Sequence, residues 1–319
     1  MSSSEKTAIL KEVLGGFNKT GDELLFTCPK CKHHKRKLSV NVDKNVFKCW
    51  ICEYSGTNIG RLIRRYADFT QKAKWQQVTG QLEISHFDEI IASLFPDEEE
   101  DTPITVKLPN EFVSLANKGR TLLSTKARNY LTKRDITDED ILFWKIGYCP
   151  SGEYGGRIIV PSFNESGDCN FFIGRTYRND WRKYMNPPTA KSKIIFNELY
   201  IDWNEDLILT EGVFDAIVAG KNSVPILGSS LREYSRLFKS IIKNDTPVYV
   251  ALDQDAEEKA ADLIQNLIKY GAEVYKIDVI PYNDVGEMPK REFLKRKKAA
   301  RLITSEDAFV QKFISSFNF

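Results

Sequence analysis

Leu207-Ile208-Leu209-Thr210-Glu211-Gly212-Val213-Phe214-Asp215 is the stretch whose reading decides the fold. A short, largely apolar run reads as a buried strand, and it ends in an acid, a glycine and the start of a helix at 213–220. In parallel α/β sheets ligands gather beyond the carboxyl ends of the strands, so Glu211 stands where chemistry is normally done. Gly212 allows the backbone to approach a ligand closely. Asp215 falls on the first turn of the helix, either at the rim of the same crevice or simply as an acid favoured there by the helix dipole.

Downstream the pattern recurs. Val248-Tyr-Val-Ala-Leu-Asp253-Gln-Asp255 is again a buried strand closed by acid. Residues two apart on an extended segment face one side, so Asp253 and Asp255 point at one spot. Two carboxylates there repel each other unless a cation lies between them, and hard oxygen ligands select Mg²⁺ or Mn²⁺. A third piece, Asp284-Val-Gly-Glu287, follows a strand at 273–277; either acid can complete the cluster, with Asp284 preferred. A further strand at 224–227 and helices at 231–243 and 256–270 make this region an α/β sheet that is mainly parallel. Such a carboxylate set suits metal-dependent phosphoryl or nucleotidyl transfer. No Gly-x-x-x-x-Gly-Lys-[Ser/Thr] loop is present, which excludes a P-loop ATPase.

Upstream, residues 157–163 and 170–177 read as strands joined by a hairpin-like turn, preceded by helices near 122–134 and 137–144. The segment 95–109, with Pro96, an acidic run, Pro103 and Pro109, reads as a linker and the main domain boundary. Before it, Cys28-Pro-Lys-Cys31 and Cys49-Trp-Ile-Cys52 bracket an alternating stretch that reads as a hairpin, 37–42 with 45–48. Two such pairs close a tetrahedral structural Zn²⁺ site, so a β-rich zinc ribbon is expected, with a short amphipathic helix at 4–15 ahead of it and another at about 57–67 behind. Four cysteines complete the shell, which leaves His33 and His34 as surface residues or phosphate contacts. Lys35, Arg36, Lys37, Lys48, Trp50 and Tyr54 are spaced to hold a single strand by phosphate pairing and stacking, although Trp50 and Tyr54 could equally cover the ribbon core. Cys149 and Cys169 read as core or turn thiols.

The hydrophobic fraction of 42% and charged fraction of 28% are ordinary for a globular chain. A formal net charge of +2 says little, but basic residues crowd at 30–37, 175–193 and 290–301, as a polyphosphate partner requires. There is no apolar run long enough to span a membrane and no signal peptide, so a cytoplasmic location is expected.

Taken in order, these residues resemble the DnaG-like primase family, including its phage members, over roughly residues 25 to 290. The ribbon carries Cys28-Pro-x-Cys31, Leu38-Ser39-Val40, Phe47-Lys-Cys49-x-x-Cys52 and Gly56. Ala127-Arg-Asn-Tyr130-Leu131-x-x-Arg134-x-Ile136 and Ile146-Gly147-Tyr148-Cys-Pro150 are similar to the family's helical lead-in. Gly156-Arg157-Ile-Ile-Val-Pro161, Phe172-x-Gly174-Arg175 and Lys183-Tyr184-x-Asn186-Pro187 match its basic subdomain, and Glu211-Gly212-x-x-Asp215, Asp253-x-Asp255 and Asp284 match its Toprim metal motifs. The resemblance implies a zinc ribbon at 1–68, a helical and acidic linker at 69–110, an α+β basic subdomain at 111–205, a Toprim α/β domain at 206–290 and a helical tail at 291–319. It implies RNA primer synthesis on a single-stranded DNA template from ribonucleoside triphosphates, with structural Zn²⁺ and catalytic Mg²⁺ or Mn²⁺. Glu211, Asp253, Asp255 and Asp284 are then the metal ligands, with Asp215 in support. Arg157, Arg175, Lys183, Tyr184, Lys37 and Trp50 become contacts to template or triphosphate. A separate replicative helicase is the implied partner, and a phage or mobile element the implied source. The rival readings are a Toprim nuclease or topoisomerase-related enzyme, and a non-catalytic ribbon protein that binds DNA.

Overall fold

Alternating burial organises the first sheet. The structure, a computed structural model, describes residues 3–56, 58–79, 103–117, 119, 121–228, 231–303 and 307. The acidic run at 97–101 and most of the expected C-terminal tail (304–306 and 308–319) lie outside the described residues. The chain divides into two compact units, Met1–Pro96 and Asp97–Phe319.

In the first unit a helix, α1 (Ser3–Leu14), precedes five antiparallel strands in sequential order: β1 (Asn18–Thr20), β2 (Glu23–Phe26), β3 (Leu38–Asn41), β4 (Val46–Cys49) and β5 (Ser55–Gly56). Leu24 and Phe26 of β2 and Phe47 and Cys49 of β4 alternate inward, as a period of two demands. Asn45 turns the β3–β4 hairpin at φ 56°, a left-handed conformation that asparagine tolerates. Ile9 and Leu10 of α1 cover this sheet with α2 (Gly60–Tyr66) and α3 (Phe69–Thr79). Trp75 of α3 is 1% exposed within the same core, so the helix that the sequence reading set at the head of the linker packs with the ribbon.

The second unit holds two five-stranded sheets. One is antiparallel, ordered β10 (Tyr184–Met185), β9 (Cys169–Thr176), β8 (Arg157–Phe163), β7 (Gly147–Cys149), β6 (Val113–Ser114). Before β7 come α4 (Leu122–Thr132) and α5 (Asp138–Phe143), each opened by a threonine that accepts from the N3 backbone N–H, Thr121 from Ser124 and Thr137 from Asp140. The other sheet is ordered β12 (Ser223–Pro225), β11 (Leu207–Thr210), β13 (Val248–Ala251), β14 (Val274–Lys276), β15 (Arg301–Leu302). Its first four strands are parallel and only β15 runs against them. Helices α6 (Val213–Ala219), α7 (Arg236–Lys243), α8 (Glu257–Lys269) and α9 (Lys290–Ala299) accompany it, α6 against β11 and β12, α8 against β14, α9 against α6 and α7 against the 191–193 turn. The edge strand β15 falls in what reads as a helical tail, because two residues are too few to carry a period. Phe293 of α9 is fully buried with Val285, Met288 and Val218, which fixes the 285–288 turn against α6. Among the described residues no helix is long and apolar enough to cross a membrane.

One buried charge ties the segment after β10 to α7. Glu198 Oε1 pairs with Arg236 at 3.0 Å, whereas its Oε2 has no hydrogen-bond donor. Burial pushes the Glu198 carboxyl up to about 7, against the pull of Arg236. The folded protein therefore holds a proton where the unfolded chain has lost it. That contribution is complete below the ordinary carboxylate range and is lost as pH rises through about 7. Glu198→Gln, neutral throughout, should melt progressively higher relative to wild type from about pH 5 to pH 8, by roughly a few degrees. A pH-independent difference in melting temperature would show that Arg236 keeps the carboxylate ionised.

Candidate active site and zinc centre

Parallel pairing of β11 with β13 sets Thr210 opposite Ala251, so both strands deliver the residues that follow them to one end of the sheet. There Glu211, Asp253 and Asp255 each offer an oxygen, and the three lie within 4.8 Å of one another. Glu211 Oε2 and Asp253 Oδ1 are buried without any hydrogen-bond donor. Burial, and then the neighbouring carboxylates Asp215, Glu211, Asp284 and Asp255, push Asp253 up to about 8. Buried acceptors with no donor are costly. A hard divalent cation removes both the vacancy in hydrogen bonding and the repulsion, so this donor set fits Mg²⁺ or Mn²⁺.

Asp215 and Asp284 differ from these three. Asp215 Oδ2 accepts from Gly212 N–H and its Oδ1 from Gly286 N–H, each at 2.9 Å. Both oxygens are thus held by backbone, and Asp215 clamps the turn after β11 to the turn before α9. Burial and then Asp284 push it up to about 6. A side chain on Gly212 or on Gly286 would meet the Asp215 carboxylate at 2.8 Å. The close approach foreseen at Gly212 is therefore made to Asp215. Asp284 Oδ1 caps the 285–287 turn by accepting from Glu287 N–H, and it stands outside the group of three.

A cationic and aromatic wall faces the acids. Arg134, just beyond α4, stacks over Tyr130 at 5.1 Å and Phe214 at 5.3 Å. Its Nη1 is 3.8 Å from where a Gly286 Cβ would stand, beside Asp215 and Asp284. Arg175 Nε donates to Tyr130 Oη at 3.0 Å, and its guanidinium lies 4.6 Å from the Tyr184 ring. Asp215 and Arg134 are among the charges acting on Tyr184. Tyr184, with Arg175 against its ring, thus lies on the side of Asp215 and Arg134. Arg134, quoted above only as part of a matching string, joins them; its signal was a cation placed directly after an amphipathic helix.

Arg157, expected at the template or triphosphate, lies inside the fold. It is 4% exposed, and it donates to Arg182 O and Asp180 Oδ2, each at 2.9 Å. A guanidinium so placed braces the β9–β10 loop, with its described hydrogen bonds spent there rather than on an outside partner. Lys183 is exposed on that loop.

In the first unit the four sulfurs of Cys28, Cys31, Cys49 and Cys52 lie within 4.8 Å of one another. The Cys28–Cys52 and Cys31–Cys49 separations are 3.8 and 3.9 Å. A tetrahedron with Zn–S near 2.3 Å requires about 3.8 Å between sulfurs, so the cluster fits Zn²⁺. Each pair is followed by a residue at positive φ, Lys32 at 49° and Glu53 at 58°, which folds the two turns alike. His33 and His34 stack on each other at 4.3 Å, and His33 Nδ1 accepts from Lys35 N–H, outside the cysteine cluster. Trp50 is 61% exposed under Lys48, whereas Tyr54 is buried against Phe47. Lys37 is exposed, and Arg36 is engaged with Asn18. Burial pushes Cys149 up to about 12 and raises Cys169, as befits inert thiols.

No family model matches the chain. A DNA primase of Halalkalibacterium halodurans is 24% identical over 84% of this chain, which spans 57% of that relative. The chain spans only about half, from 38% to 57%, of the length of the curated primases it matches. The zinc-binding and RNA polymerase domains of Aquifex aeolicus primase share the fold, with a TM-score of 0.50 and 20% identity over 95% of this chain and 86% of that one. A DnaG primase catalytic domain bound to single-stranded DNA gives a TM-score of 0.52 and 19% identity over 73% of this chain and 84% of that one. In sequence the chain is thus similar to curated bacterial DNA primases, and in fold it is similar to the zinc-binding and RNA polymerase domains of DnaG-type primases.

Proposed function

We propose that this chain is a DNA primase, a nucleotidyltransferase that makes short RNA primers on single-stranded DNA. The observation that carries the reading is the group Glu211, Asp253 and Asp255, with two donorless buried oxygens, set beside Arg134, Arg175 and Tyr184. Glu211, Asp253 and Asp255 would hold Mg²⁺ or Mn²⁺, with Asp284 close by. Bound there, a divalent cation neutralises phosphate charge as a Lewis acid.

The remaining work falls to the chain's own side chains. Arg134 and Arg175 present fixed positive charge to a triphosphate, and their stacking on aromatic rings keeps the guanidinium planes in place. Asp215 holds two turns in register so that the acids converge. The 3′ hydroxyl of one nucleotide then attacks the α-phosphorus of the next in line, giving up its proton to solvent as the bond to pyrophosphate breaks and pyrophosphate leaves. In this reading 111–205 is the basic subdomain and 206–290 the catalytic one. The ribbon, with Trp50, Lys37 and Lys48 outward, meets the template. A separate replicative helicase and a phage-type, cytoplasmic setting follow from the family resemblance.

The test is the purified chain with ribonucleotides, Mg²⁺ or Mn²⁺ and mixed single-stranded templates. Short RNAs beginning with ATP or GTP are expected, and sequencing them would give the initiation site. Cleavage of DNA with no oligoribonucleotide on any template, alone or with the helicase, would overturn the reading in favour of a nuclease.

A further inference from the structure

Trp181 is 87% exposed, the highest value among the large hydrophobic side chains described, and it stands on a loop braced by hydrogen bonds. The loop, 177–183, joins β9 to β10. Asp180 Oδ1 accepts from Arg182 N–H at 2.9 Å, and Asp180 Oδ2 accepts from the buried guanidinium of Arg157. Arg157 also binds the main-chain oxygen of Arg182 on the far side of Trp181. Arg178 N–H is fixed by Thr176 Oγ1 at 3.1 Å, and the Arg178 side chain crosses Gly156, where any Cβ would collide with its Nε at 2.4 Å. A buried arginine, a glycine and a carboxylate therefore all act to present an indole to solvent.

The surroundings indicate what the indole meets. Residues 178–183 contain no other apolar side chain, so the loop itself offers Trp181 polar and charged company. Its neighbours are cations: the Arg182 guanidinium lies 5.1 Å from its ring, and Arg178 and Lys183 are exposed on the same loop. Tyr177 and Arg178 also form one wall of a cleft of about 410 Å³, opposite Lys126, Asn129, Tyr130 and Lys133 of the α4 segment. Tyr130 in turn touches Arg175 and Arg134 beside the acids. The loop that carries Trp181 thus borders, through Tyr177 and Arg178, a cleft whose other lining residues include Tyr130.

We propose that Trp181 is a stacking platform for an unpaired base of single-stranded nucleic acid, with Arg178, Arg182 and Lys183 neutralising the adjoining phosphates. The proposal rests on the primase reading and adds to it a strand contact outside the acid cluster. Only a single strand offers base faces, and a ring held in place in advance binds one without ordering a loop.

The test uses the full chain and fluorescein-labelled oligothymidylate, read by anisotropy at one fixed salt concentration. Trp181→Ala should weaken binding on the order of tenfold. Trp181→Phe, which keeps a ring, should recover most of that loss, and neither variant should change the melting temperature. Binding of Trp181→Ala within about twofold of wild type would overturn the proposal, as would a Phe variant as weak as the Ala one, while RNA synthesis by wild type would leave the primase reading standing. A shift from dimer to monomer in Trp181→Ala with unchanged oligothymidylate affinity would assign the ring to a second copy of the chain. A wild type that neither binds the oligonucleotide nor makes RNA would remove both.

Discussion

Asp253→Asn should lower RNA synthesis by about 1,000-fold or more, equivalent to roughly 4 kcal/mol of transition-state stabilisation, while zinc content stays at its wild-type value. Asp253 is the acid whose oxygen is both buried and without a donor and whose ionisation is most opposed by its neighbours. An amide keeps the shape and removes the charge that a divalent cation needs. Folding is not expected to suffer. The proton that burial and the neighbouring acids place on Asp253 stabilises the cation-free fold at low pH, and this contribution fades as pH rises through about 8. At alkaline pH without divalent cations, Asp253→Asn should therefore melt no lower than wild type. Added Mg²⁺ or Mn²⁺ should raise the wild-type melting temperature and leave that of the variant almost unmoved. A variant that primes at more than about a tenth of the wild-type rate would exclude Asp253 as a ligand.

Cys28→Ser, or chelation of the wild type, should abolish the cooperative unfolding transition of the first unit. Cys28 and Cys49 are not attached to the outside of that unit. Both are fully buried members of its core, and Cys49 closes β4 opposite Leu38. Structural zinc sites contribute an apparent ~10–16 kcal/mol, as much as the whole stability of a small domain. The expected record is one zinc per chain falling to none, protease sensitivity confined to residues before Pro96, and loss of priming. The transition of the second unit is the internal control. A zinc-free protein that keeps the first transition would show that the apolar core from Ile9 to Trp75 suffices by itself.

The strongest local signals in the sequence were those set by spacing. Two cysteine pairs with two-residue spacers, strands of period two and acids closing apolar strands are properties of neighbouring residues, and backbone geometry converts them directly into direction. Hence the strand-end acids Glu211, Asp253, Asp255 and Asp284 stand out in the sequence as one expected set, although the strand itself stops at Ala251 and Asp255 follows in a 3-10 turn, Gln254–Ala256, rather than on an extended segment. Roles that depend on distant partners could not be read in this way. Asp215 resembles its fellow acids in sequence, yet Gly286, 71 positions away, takes one of its oxygens. Arg157 sits in a matching string and reads as a template contact until Asp180 and Arg182 are seen to surround it. Trp50 and Tyr54 are separated by a knuckle whose Glu53, at φ 58°, turns the chain so that one ring faces out and the other in.

By itself, then, the sequence determined that there is a thiolate centre, a carboxylate centre and a mainly parallel sheet to carry the latter. The tertiary structure alone decided which partners each charge finds: Arg134 stacked on Tyr130 and Phe214, Arg175 held by Tyr130 and Tyr184, Arg157 bound inside a loop, Asp215 used as a clamp. The reason is physical. A side chain's chemistry is written in its identity, but whether its hydrogen-bonding capacity remains available depends on which distant backbone and side-chain groups reach it when the chain closes.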